Sequence, residues 1–101
     1  MPKFTIEHSS SHSAKEAFEK IKTFLDQDVD IRRFDSKMKS QFHDSSMSGT
    51  VRGSQFNADL LVQEIATGSK IQIVVDLPML LTPFKGKVQE TLQKKLSKYL
   101  A

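Results

Sequence analysis

A chain of 101 residues holds one domain, able to bury roughly two-thirds of its unfolded surface. Hydrophobic residues at 38% and charged residues at 27% suit a folded globule, and a net charge of +3 permits only weak attraction to polyanions. With no cysteine, disulfides, thiolate metal sites and cysteine nucleophiles are excluded.

Met1 leads into Pro-Lys-Phe-Thr with no apolar run, so no secretory leader is expected and the chain reads as cytoplasmic. "KFTIEH" then alternates Phe4, Ile6 and His8 against Lys3, Thr5 and Glu7, the pattern of a half-buried strand. In "SAKEAFEKIKTFLDQ", Ser13 and Glu16 are spaced as a capping box. Ala14, Ala17, Phe18, Ile21, Phe24 and Leu25 repeat at helical spacing, predicting a helix over 14–27. Its end is untidy, because Asp26 and Asp28 stand where the helix dipole disfavours carboxylates.

From residue 30 the period becomes two. "IRRF" reads as a short strand or lead-in. Met38, Ser40 and Phe42 share one face of the next strand; Met47, Gly49 and Val51 share one face of another. Phe56, Ala58, Leu60 and Val62, then Ile71, Ile73, Val75 and Leu77, complete the inner face. One apolar and one wetted face predict an antiparallel sheet packed on one side. A turn centred on Thr67-Gly68 would join the last two strands and set Leu61 opposite Val74 on the outer face, a pair suited to sheet support or to a homodimer contact.

The tail repeats Phe84, Val88, Leu92, Leu96 and Leu100 at spacing four, with Tyr99 beside them. Thr82 as N-cap and Pro83 at the first helical position predict a helix over 83–100 lying across the apolar sheet face. The fold class expected is therefore α+β: strand, helix, four strands, helix, with both helices on one face. The apolar passage over 71–84 is too short and too interrupted to span a bilayer. Met79, Leu80 and Leu81 cannot all point inward at the corner. Lys85 and Lys87 oppose the dipole at the helix start. Met79, Leu80, Leu81, Phe84, Lys85 and Lys87 thus form a candidate contact surface for an anionic or apolar partner; lysine stems that merely cover the core are the plainer reading.

Catalytic signals are thin. His8, His12 and His43 have no metal-set spacing, and neither metal nor other cofactor is expected. Ser36 and Lys39 match Ser-x-x-Lys but in a strand, and Gly86-Lys87 lacks the rest of a phosphate loop. No side chain stands out as nucleophile or base, so catalytic residues are assigned to none. Lys3, Lys37, Lys39, Arg52 and Lys70 make the outer face basic, but it has no aromatic residue for stacking bases and is diluted by Glu7, Asp59 and Asp76.

Two stretches resemble the bacterial polyhydroxyalkanoic acid system proteins. The first is "SSSHSAKEAFEKI", with His12, Ser13 and Ala17. The second is "VDLPMLLTPFKGKVQETLQKKLSKYL", with Leu80, Leu81, Pro83, Phe84, Lys85, Gly86 and Val88. The order of elements also agrees over nearly the whole chain, and it is similar to a shortened helix-grip, START-like domain. The resemblance implies a non-enzymatic accessory protein of polyhydroxyalkanoate storage, meeting the granule surface or a granule-associated protein. The helix-grip likeness implies an alternative, a small acyl-ligand binder with a pocket lined by residues such as Phe42, Phe56, Leu60, Ile73 and Leu92. A weak nucleic-acid binder is the remaining reading.

Overall fold

The structure, a computed structural model, describes residues 3–29, 33, 37–54 and 56–100, with only the backbone at 79 and 80. The chain runs β1 (Lys3–Ser10), α1 (Ala14–Gln27), β2 (Lys39–His43), β3 (Ser48–Arg52), β4 (Asn57–Ile65) and β5 (Gly68–Asp76). A 3₁₀ segment (Met79–Phe84) and α2 (Lys85–Tyr99) follow. The five strands form one antiparallel sheet in the order β1-β5-β4-β3-β2. Ile31 and Phe34, which would anchor a strand at "IRRF", lie outside the described residues.

The alternation fixes which face is buried. Phe4 and Ile6, Val51, Ala58 to Val62 at even positions, and Ile71 to Leu77 at odd positions all enter the core. Both helices cover that face. α1 lies over β4, β5 and β2, and α2 lies over β1 and against α1. α1 thus packs on β5 and α2 on its neighbour β1, so both helices sit on one face, as the sequence predicts.

The α1 boundaries match their prediction, with one change at the cap. Ser13 Oγ accepts from the Glu16 amide at 3.3 Å, but the Glu16 carboxylate turns to His12 Nδ1 at 3.4 Å instead of returning the bond. Glu64, from β4, accepts from the Ala14 amide at 3.0 Å, so the sheet supplies a second cap.

The hairpin register differs from its expectation by two residues. Ile65 pairs with Gly68 and Leu60 with Ile73, so the turn is Ala66-Thr67. Odd-to-even pairing survives, which keeps the faces intact. Leu61 faces Gln72 and Val74 faces Asp59, leaving Leu61 and Val74 diagonal neighbours. Gly68 has φ +144°, and a Cβ there would lie 2.1 Å from the Ser10 carbonyl oxygen. The glycine serves the close approach of β1, not the turn itself.

The tail helix also starts later than Thr82-Pro83 suggests. Proline has no N–H to give and disfavours α geometry in the residue before it, so 79–84 close as a 3₁₀ turn. The Leu81 amide donates to the Pro78 carbonyl at 2.9 Å, and α2 begins at Lys85. Val88, Leu92, Leu96 and Leu100 are buried as the spacing requires, but Phe84 is 56% exposed and leaves the stripe.

Candidate functional site

The 3₁₀ turn makes one wall of a groove at the corner. Its floor begins with Phe56 and Leu77, one step beyond the Asn57–Asp76 pair that ends the β4–β5 ladder, so each continues its strand's inward alternation. Leu81 and Phe84, three apart and hence on the same side of a 3₁₀ turn, form the wall, and Val88 of α2 closes the back. Arg33, from the α1–β2 connection, and Lys87, from the first turn of α2, supply its charged side chains. The space is about 210 Å³. Among the described residues its lining includes no carboxylate, imidazole or hydroxyl group.

The predicted contact residues divide here. Leu81, Phe84 and Lys87 line the groove. Lys85 instead lays its ammonium 5.5 Å from the centroid of the Phe4 ring, covering the core edge as a long cationic side chain does. The side chains of Met79 and Leu80 lie outside the described residues.

Of the predicted pocket residues, Phe56 reaches the groove. Leu60, Ile73 and Leu92 are buried within the main cluster, and Phe42 stands edge-on to Phe18 with centroids 6.0 Å apart. Arg33 carries no sequence signal for the groove, and Leu77 and Val88 read in the sequence only as core positions. Leu77 was recoverable, because the true register sets it against Phe56, whereas a turn at Thr67-Gly68 sets Met79 there.

Elsewhere, a second apolar cleft of about 300 Å³ lies beside Phe18 and Met47, rimmed by Lys15, Glu19 and Asp44. On the outer sheet face, Arg52 donates to Asp59 at 2.8 Å and Lys70 pairs with Glu7 at 3.2 Å, so both of these basic side chains are locally neutralised. No three His, Asp or Glu side chains gather as a metal set among the described residues. Among the described residues no helix is long and apolar enough to cross a membrane.

No protein-family model and no curated sequence matches the chain. Solved structures share its fold. TTHA0849 from Thermus thermophilus aligns with a TM-score of 0.61 and 10% identity, over 98% of this chain and 94% of that one. The di-domain ARO/CYC BexL from the BE-7585A biosynthetic pathway aligns at 0.66 and 6% identity, over 99% of this chain and 45% of that one. Ara h 8.0201 aligns at 0.55 and 12% identity, over 98% and 97%. Likeness at such identity establishes a helix-grip type of α+β fold and leaves the ligand to be argued from the site.

Proposed function

We propose that the protein is a non-enzymatic binding module whose corner groove takes a small apolar ligand. The observation that carries this is a concave apolar lining of Phe56, Leu77, Leu81, Phe84 and Val88 around about 210 Å³. That volume exceeds the roughly 150 Å³ of a dry cavity that admits benzene and falls short of the roughly 300 Å³ at which drug-sized sites begin. Among the described lining residues no carboxylate, imidazole or hydroxyl stands beside Lys87 to complete an acid–base pair, which supports a groove that holds its ligand rather than transforms it. The finer form of this reading draws on the resemblance at residues 12–17 and 80–88. In it, an acyl chain offered by a polyhydroxyalkanoate granule, its coat or a partner protein enters the groove, and the protein is an accessory of storage.

Titration of the ¹⁵N-labelled protein with octan-1-ol tests the groove. Amide shifts concentrated at Phe56, Leu77, Leu81 and Val88, lost in Leu81→Glu, support it; shifts confined to Phe18 and Met47 move the site to the other cleft and reject this one. For the storage role, co-sedimentation with isolated granules should fall in Leu81→Glu while far-UV circular dichroism stays unchanged. Equal sedimentation of variant and parent rejects that role.

A further inference from the structure

Resting on that groove reading, we infer that its ligand is a short-chain carboxylate of up to about eight carbons, seated with its chain on the apolar floor and its carboxylate at the rim against Lys87. Three observations converge on it. First, the charged groups of the lining are both cations, Arg33 and Lys87. An uncharged guest would use the floor alone, whereas a carboxylate also makes a charge-assisted hydrogen bond with Lys87.

Second, Lys87 is placed against its own helix. The first turn of α2 contains no acidic residue and has no side-chain cap, and it carries Lys85 and Lys87 at the positive end of the dipole. A helix selected only for stability would place Asp or Glu there. Lys85 is accounted for by the Phe4 ring. Among the described residues no carboxylate lies in salt-bridge contact with Lys87: the acid three residues on, Glu90, is held by Lys94 at 2.8 Å. A bound anion would supply the charge this turn lacks.

Third, the volume sets the chain length. A six-carbon ring in roughly 150 Å³ takes about 25 Å³ per carbon, so about 210 Å³ holds about eight. A longer chain would leave its end in water, and each carbon beyond the groove would add nothing to affinity.

The test compares octanoate, octan-1-ol and inorganic phosphate on the ¹⁵N-labelled protein, in the parent and in Lys87→Gln. Lys87 is exposed, so that variant is expected to fold, and circular dichroism checks it. Octanoate should bind about tenfold more tightly than octan-1-ol in the parent, and Lys87→Gln should bring the two within about twofold of each other. Added salt should weaken octanoate and spare octan-1-ol. Equal affinity for acid and alcohol in the parent overturns the carboxylate and leaves the groove standing. Shifts with phosphate as large as those with octanoate reduce Lys87 to a general anion contact and overturn the inference. If neither octanoate nor octan-1-ol moves the groove amides, both readings fall.

Discussion

The two ends of α2 are built to different purposes. At its C-terminal end, Leu96 and Leu100 are buried and the Tyr99 ring lies 5.1 Å from Phe24. There Tyr99 donates to Asp28 Oδ2 at 3.0 Å, and Lys95 Nζ stands 3.0 Å from the same oxygen. Asp28, only 5% exposed, thereby ties the end of α1 to the last turns of α2. At the N-terminal end, Phe84 is exposed, no side chain caps the helix, and a Cβ added at Gly86 would meet nothing within 4 Å. Packing and paired charge fasten one end, while the other keeps apolar surface and one lysine, Lys87, beside a groove. Binding surfaces draw on the less stable parts of a fold, and here one helix contains both kinds.

The sharpest way to break this comparison is to truncate one apolar side chain at each end. Leu96→Ala should lower unfolding free energy by about 3 kcal/mol, a large share of the roughly 5–15 kcal/mol typical of a domain. Phe84→Ala should cost about 1 kcal/mol or less, because more than half of that residue is already exposed. Urea unfolding of the pair decides it, and equal losses would mean the ends do not differ.

Next in size is the buried acid. Lys95→Met removes one ammonium from the buried Asp28 carboxylate and should destabilise by about 2–3 kcal/mol, below the full range for a buried pair because the Lys95 side chain is 17% exposed. Asp28→Leu combined with Lys95→Met should recover part of that loss, since the buried carboxylate is then gone as well. A double variant as unstable as the sum of its parts would show that the contact matters for packing rather than for charge.

The sequence exposes these ends unequally, for a physical reason. Helical and two-residue periods reveal the core because burial repeats, so the boundaries of α1, the inner faces of four strands and Val88, Leu92, Leu96 and Leu100 are all readable. Asp28 looks like a fault at the end of α1 until Lys95 and Tyr99, some seventy residues away, are beside it. The groove is harder still. It depends on the hairpin register, which slid by two residues because Gly68 reads as a turn glycine when the demand on it comes from Ser10. It depends also on the 3₁₀ turn that rotates Phe84 out of the stripe, an effect of Pro83 on the backbone that side-chain spacing does not report.

Gly86 offers a gentler probe of the loose end. Nothing crowds the site and the backbone is helical, so Gly86→Ala should stabilise by about 0.5–1 kcal/mol through helix propensity and a less free unfolded chain. If the variant is less stable than the parent, the first turn of α2 is packed more tightly than its open surroundings indicate, and the contrast with the far end weakens.

The smallest effect concerns how Lys87 divides its charge. Glu90 titrates below the ordinary glutamate range, first through its hydrogen bond from Lys94, then through the charges of Lys94 and Lys87. A carboxyl lowered by folding contributes stability above its unfolded range and loses it as pH falls through the lowered value, so this fully exposed group should add a slight acid sensitivity and nothing near neutrality. In a carboxyl NMR titration, Lys94→Gln should return Glu90 toward its ordinary value, and Lys87→Gln should move it less. Were Lys87→Gln to move it more, Lys87 would be engaged chiefly with its own helix. The first turn of α2 would then be electrostatically satisfied like the last, with no charge standing ready for the groove.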